Sequence, residues 1–378
     1  MSTVAILFSN LHDRSIPELT SNRSAEAIPF AGRYRLVDFA LSNLVNSNIY
    51  NVNLLTRYNY RSIMEHIGSG KEWDLARSSG GIKFLPPFMK GNAFSSENNL
   101  YTNRLEAIKS IRSTVGSFTE DYVIMADSNI ICNIDVSDII KYHKSTGADM
   151  TAVVKSFNMT KENYRERVEI VPDSDGNIAD IKRTSPDYVG ECKIYMNISV
   201  FNRTYFQNVV NDAIAHNYHS MTFDVMRRNM KNARYKVYEC KEYMMAVETL
   251  SDYYSASMDM LYKPEVRDAI FKNRLRPVIT RIVNSVPTYY GASSRIKNSF
   301  IADGCKIHGA VENSIIFRGV TVGKGAVIRN SVVFKNAIIG ENAFLNCCLA
   351  DIGSVVSDSR ILSGCEASPY YIAKNARL

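Results

Sequence analysis

The sequence predicts an α/β domain with a mostly parallel sheet, followed by a parallel β-helix of hexapeptide type. Over residues 1 to 262, short apolar runs alternate with longer amphipathic segments, the pattern of a sheet layered with helices. A motif headed by asparagine then recurs: "NSFI" at Asn298, "NSII" at Asn313, "NSVV" at Asn330 and "NCCL" at Asn346, at intervals of 15, 17 and 16 residues. Between these, "VTVGKGAVI" from Val320 and "AIIGENAFL" from Ala337 repeat a small-residue turn 17 residues apart. Apolar Ile316, Val322 and Ile328 fall on every sixth position, as β-helix coils require.

Within the first part, Val4–Phe8 is apolar enough for a first strand, and turn-forming Ser9 and Asn10 follow it. Further strands are expected at Val52–Thr56, Tyr122–Ala126, Met150–Val154 and Ile194–Phe201. Helices are expected at Asp38–Asn46, Tyr60–Ile67, Asn103–Ser113, Val136–Ser145 and Leu250–Leu261. A charged helical connector occupies 263–296, and the repeat domain runs over 297–378. Coils of this kind leave apolar faces at their ends, so the repeat domain is expected to associate with a neighbour.

The length of 378 residues suits two domains. The net charge of +7 is spread along the chain with no Lys/Arg block, which argues against nucleic acid as a partner. No apolar run approaches the roughly 18 residues that span a bilayer, so no membrane association is expected. The seven cysteines form no CxxC pair, which argues against zinc knuckles and a disulfide framework. They read as reduced thiols of a cytoplasmic protein. The histidines, His12, His66 and His308 among them, show no metal-ligand spacing.

The run "IPFAGRYRLVDFALSNLVNSNIYNVNLLTRYNYRSIMEHIGSGKEWDL", Ile28 to Leu75, resembles the ADP-glucose pyrophosphorylase (glucose-1-phosphate adenylyltransferase) family. "GGIKFLPPF" at Gly80 and the repeat from Asn298 continue the likeness, which covers nearly the whole chain. The resemblance implies a Rossmann-like nucleotidyltransferase domain followed by a left-handed β-helix. It also implies adenylyl transfer from ATP to glucose 1-phosphate, for glycogen or starch. That reaction needs backbone N–H groups close to a triphosphate, a neutralising cation, and carboxylates that hold Mg²⁺.

The resemblance also shows what is missing. The family's Gly-rich phosphate loop is replaced here by Ser9, Asn10, Leu11, His12 and Asp13, and Arg14 matches its arginine. Ala25 and Glu26 stand in place of Lys-Pro, so a cation is lost and an anion gained. "MADSN" keeps Asp127 at the first metal position, but the second metal carboxylate is Ala246 and its glycine is Glu248. At the sugar-phosphate grip, Arg183 and Thr184 replace Glu-Lys. "ENNLYTNRLEAI" lacks the Gly-Thr-Ala-Asp-Ala segment expected before the helix at Asn103. One preorganised donor contributes roughly 3–4 kcal/mol to a transition state. Even without additivity, such losses cost on the order of 10³-fold or more.

The resemblance therefore points to the non-catalytic, regulatory type of subunit. It would act as a heterotetramer with a catalytic ADP-glucose pyrophosphorylase subunit, and need no cofactor of its own because Mg²⁺ resides in that partner. By position in the family, Arg33 with Arg57 or Arg61 would bind an anionic, sugar-phosphate effector. Arg14, Arg23, Lys182 and Arg183 are candidates for residual phosphate contacts, while Asp38 and Asn43 read as structural. A second reading is an active enzyme rebuilt around Arg14, Arg23, Asp127 and Lys182 or Arg183. A third, a hexapeptide acyltransferase, would rest on His308, the one histidine of the repeat.

Overall fold

The structure, a computed structural model, describes residues 2–9, 11, 15–57, 59–86 and 101–378. The first domain is built on one nine-stranded sheet. Its strands are β1 (Thr3–Phe8), β2 (Asn51–Leu55), β3 (Gly81–Leu85), β4 (Tyr122–Asp127), β5 (Met150–Met159), β6 (Val168–Pro172), β7 (Ile178–Arg183), β8 (Gly190–Asn202) and β9 (Tyr235–Glu239). The order along the sheet is β7-β6-β8-β4-β1-β2-β3, with β5 branching from β8 and β9 pairing β5. Strands β4, β1, β2 and β3 are parallel, so their carboxyl ends share one edge.

The sheet is more mixed than its alternating pattern suggests, because β8 runs antiparallel to β4, β5 and β6. Its pairing with β5 shifts register between Tyr195 and Ser199, and Asn197 takes the left-handed φ of 54° in that bulge. Helix α1 (Leu36–Asn46) enters through Asp38, whose Oδ2 accepts from the Arg35 N–H at 3.0 Å. Its other oxygen lies 2.6 Å from His66 Nε2. Asn43 on the same helix donates to the Cys132 carbonyl and accepts from Ile134 N–H, which fixes helix to sheet. The segment expected as one helix from Asn103 is two: α2 (Arg104–Ser110) and Arg112–Gly116. The Ser110 hydroxyl bonds back to the Ala107 carbonyl at 2.6 Å, where the helix breaks.

The second part is a left-handed β-helix of three five-stranded parallel sheets. Its first coil opens at Tyr289–Tyr290, ahead of the first asparagine motif, and pairs with Lys306–Ile307. The exposed Tyr289 and Tyr290 of this outer coil hide the repeat from an apolar-period reading. Asn298, Asn313 and Asn330 turn the corners with φ of 41°, 47° and 45°, and their side-chain amides bond one to the next at 3.0 and 3.3 Å. The fourth corner is Cys347 at φ 48°, not Asn346, which instead pairs with Arg329. The 16-residue interval read from the sequence is therefore one residue out of register. Coils approach closely: a Cβ at Gly323 would lie 2.7 Å from the Glu341 nitrogen.

The two parts share a core. Helix α3 (Leu250–Tyr262) starts in a capping box of Thr249 and Asp252. It buries Tyr253 and Tyr254 between Phe30 and Phe39 on one side and Ile315, Phe317, Val332, Phe334 and Leu349 of the coils on the other. Tyr253 donates to the Pro29 carbonyl at 2.6 Å, while Tyr254 and Tyr262 both bond Asn330, at 2.5 and 2.8 Å. Edge-on ring contacts of Tyr253 with Phe30 and Phe334 add roughly 0.5–1.5 kcal/mol each.

Arg23 closes the same junction. Its guanidinium reaches Asp351 of the β-helix at 2.7 and 2.9 Å, and lies over the Phe334 ring at 5.8 Å. Both side chains are almost fully buried, 4% and 2% exposed, and the Tyr371 hydroxyl adds a bond to Asp351 at 2.8 Å. The expectation that Arg23 contacts phosphate is corrected here: the group is committed to a carboxylate and sealed from solvent.

Breaking a buried ion pair on one side leaves the other charge uncompensated, at about 3–5 kcal/mol. Arg23→Ala and Asp351→Ala should each lower the unfolding free energy measured by urea titration by that amount, whereas the double variant should lose less than the two losses added. Burial raises the Tyr253 and Tyr254 hydroxyl pKa values above the ordinary value near 10. Their contribution is complete below that value and is lost as pH rises through it, because the unfolded chain ionises first. Stability measured by denaturant titration should fall above pH ~10, with a shallower slope in Tyr253→Phe.

Candidate functional site

A cleft of about 390 Å³ opens beside the carboxyl edge of the sheet. Strands β6, β7 and β8 form one wall, and the short Met244–Ala246 strand, paired antiparallel with Ile130–Cys132, forms another. Four cationic side chains, Arg104, Lys155, Arg167 and Arg183, line it with two carboxylates, Glu166 and Glu248. The bulge in β8 brings Tyr195 and Asn197 to its surface, a usual service of bulges beside sites. Burial pushes the Tyr195 hydroxyl up to about 12. Tyr195 stays neutral and bonds Ser199 at 2.6 Å.

Asp127 ends β4 and is 3% exposed. Both of its oxygens are held by Arg104 at the start of α2: Nε to Oδ1 at 2.8 Å, and Nη2 to Oδ2. Burial alone would lower the Arg104 pKa, but the Asp127 carboxylate outweighs it and the guanidinium is held above its ordinary value. The pair is a permanent, neutralised unit.

Mg²⁺ does not fit these residues. The carboxylate at the retained metal position is occupied on both oxygens by a guanidinium. Ala246 offers no ligand, and Glu166 is taken by Arg183. Among the described residues, no group of three His, Cys, Asp or Glu side chains could hold a metal. Glu248 lines the cleft, and its backbone N–H bonds the Asp252 carboxylate at 3.2 Å.

Around the end of β1, Glu26 is buried and accepts a hydrogen bond from the Ser9 hydroxyl. The carboxylate gained next to the lost cation thus bonds the residue that follows β1. Ala25 is buried beside it. Asn10, His12 and Arg14 lie outside the described residues. Lys182 sits on β7, 3.5 Å from Glu169, while Arg183 lies over the Phe223 ring at 5.2 Å. Only Arg183 of these two lines the cleft.

The candidate effector arginines Arg33, Arg57 and Arg61 lie in different surroundings. Arg33 is exposed and stacks on Tyr34, 5.6 Å from the ring centre. Arg57 is buried, 6.0 Å from the Tyr101 ring. Arg61 is exposed and paired with Glu65. Arg35 is half-buried and bonded to the Ser62 carbonyl and hydroxyl at 2.8 Å, and burial lowers its pKa to about 10.

Arg104 and Asn197 escape sequence reasoning. Arg104 lies inside an ordinary amphipathic helix, and nothing in its neighbours marks it as the counter-charge of Asp127. Asn197 did leave a signal: an asparagine inside "IYMNISVF" interrupts an otherwise apolar strand.

Comparison with known proteins follows the same division into two parts. The family model described as nucleotidyl transferase matches residues 15–263, and that described as GlmU-like, C-terminal hexapeptide matches residues 284–366. The chain is 29% identical over 328 residues to the glycogen biosynthesis protein GlgD of Bacillus subtilis (strain 168), spanning 86% of this chain and 82% of that protein. Similarity to GlgD of Geobacillus stearothermophilus is 30% over 328 residues, with coverage of 86% and 82%. To a glucose-1-phosphate adenylyltransferase of Pseudothermotoga lettingae it is 30% over 329 residues, with coverage of 86% and 76%. The chain belongs to the nucleotidyl transferase family and, within it, to the ADP-glucose pyrophosphorylases and their GlgD relatives.

Proposed function

We propose that this chain is a regulatory, catalytically silent subunit of a bacterial ADP-glucose pyrophosphorylase, acting in glycogen biosynthesis. It assembles with a catalytic homologue in a cytoplasmic heterotetramer and raises that subunit's output. The observation that carries the reading is the Arg104–Asp127 pair. A guanidinium occupies the carboxylate that would hold Mg²⁺, and Ala246 offers no replacement. Without the metal, charge developing on a transferring adenylyl group loses the divalent cation that would bridge and offset it. Glu26 adds a carboxylate beside the phosphate loop, which opposes a polyphosphate further. Mg²⁺ then belongs to the partner subunit, and this chain needs no cofactor.

The way the two parts are joined supports a role in assembly. The first domain is joined to the β-helix through a shared core and a buried ion pair. A chain without chemistry keeps such rigidity when another protein reads its surface. An anionic effector at Arg33, with Arg57 or Arg61, remains part of the proposal. The rebuilt-enzyme reading loses Arg23, which is spent on Asp351.

Purified alone with ATP, glucose 1-phosphate and Mg²⁺, the chain should release pyrophosphate at least about 10³-fold more slowly than a catalytic homologue. Co-expressed with such a homologue, it should co-purify and raise the turnover measured per catalytic subunit. Ordinary turnover by the isolated chain, or failure to associate with the homologue, would remove the proposal.

A further inference from the structure

On the reading that this chain regulates a partner, we propose that residues 160–167 form a latch, tied by Arg165 to Asp252, through which the sheet wall of the cleft and the β-helix respond to each other. The segment joins β5 to β6. Each of its residues is exposed or half-buried, so polar bonds rather than apolar packing hold it. Segments of that kind open locally at low cost while the domain around them stays folded.

Its ties are of two kinds. The first run to the wall, and Thr184, buried just past β7, collects them. The Thr184 hydroxyl donates to the Arg165 carbonyl at 3.0 Å and accepts from the Arg167 N–H at 2.9 Å. Its carbonyl accepts from the Tyr164 hydroxyl at 3.2 Å, and its N–H donates to the Arg167 carbonyl at 2.9 Å. These bonds make segment and wall a single piece. The second kind is an ion pair. One Arg165 nitrogen reaches both oxygens of Asp252 at 2.5 Å, with the Arg165 side chain 35% and the Asp252 side chain 8% exposed.

Asp252 gives that tie its reach. It caps α3, accepting from the Glu248 and Thr249 N–H groups at 3.2 and 3.0 Å, and the next two residues are Tyr253 and Tyr254 of the shared core. Tyr254 in turn bonds the layer of Asn330. Bonded groups thus run from Thr184 through Arg165 and Asp252 to Tyr254 and the coils. The latch has two states because Asp252 keeps partners in both. When Arg165 leaves, the N–H groups and the positive end of a 13-residue helix still hold the carboxylate. The tie is released without unfolding α3. A pair with a partly exposed guanidinium is also weak enough to be shifted by binding elsewhere.

Hydrogen–deuterium exchange on the full chain tests this. In Arg165→Gln, amides of 160–167, of the first turn of α3 and of the coil around Asn330 should all exchange about threefold faster or more. The urea midpoint should stay close to that of the wild type, and Arg165→Lys should restore slow exchange in all three places. Raising NaCl from about 0.05 M to about 1 M should give the same pattern in the wild type and add little in Arg165→Gln, because screening acts on the pair. Unchanged exchange, faster exchange confined to 160–167, no rescue by lysine, or a molecule-wide loss of protection would overturn the latch. Co-expressed with a catalytic homologue, Arg165→Gln should co-purify as the wild type does but alter the turnover gained per catalytic subunit, and an unaltered gain would overturn the coupling. Failure of the wild-type chain to associate with the homologue would sink the regulatory reading alone, since the exchange pattern is read on the isolated chain.

Discussion

A carboxylate withdrawn from water must find a positive partner, and most of this molecule's site follows from how Asp127 meets that demand. The idealised penalty of burying an isolated charge far exceeds the few kcal/mol by which folded domains are stable. Arg104 settles it from the first residue of α2, with a charge that belongs to the chain itself. The same rule appears at Arg23 with Asp351, where Tyr371 adds a hydrogen bond, while Glu26 accepts one from the neutral Ser9 hydroxyl. A family frame that elsewhere serves ligands here balances its charges with its own side chains.

These pairs also connect the crevice with the far end of the chain. Arg23 immediately precedes the Ala25–Ala27 turn that carries Glu26, and Glu26 bonds Ser9 at the end of β1. The anchor of that turn is Asp351, which belongs to the β-helix. Hydrogen bonds and one ion pair therefore run from the mouth of the central strand to the coils. Tyr253 and Tyr254 add an apolar path beside it through the shared core.

Much of the fold was legible because periodicity is local. The strands at β1, β2 and β4 and the helix at Leu36–Asn46 stand close to where apolar spacing puts them. The antiparallel course of β8 was not legible, since pairing direction is decided by partners distant in the chain. The β-helix was recognisable, but its register was not: Asn346 looked like the fourth corner, and Cys347 takes that conformation instead. At the site, residue types could be compared but not partners. Arg23 is separated from Asp351 by 328 positions, so a nearby phosphate loop seemed the better explanation for its charge. The Ala246 and Glu26 substitutions, which need no partner to interpret, were readable at once.

The corners of the coils restrict how this chain can change in length. Asn313, Asn330 and Cys347 succeed one another at a constant 17 residues, each stacked in the same place on the prism. Removing a single residue between them would rotate every later side chain from the interior to the outside. The 15 residues from Asn298 to Asn313 show how a shorter coil is accommodated, by a two-residue change that keeps both corners. Tyr254 and Tyr262 grip the layer of Asn330 and Arg23 grips that of Asp351, so a change in length between those layers would pull one of the two grips out of place.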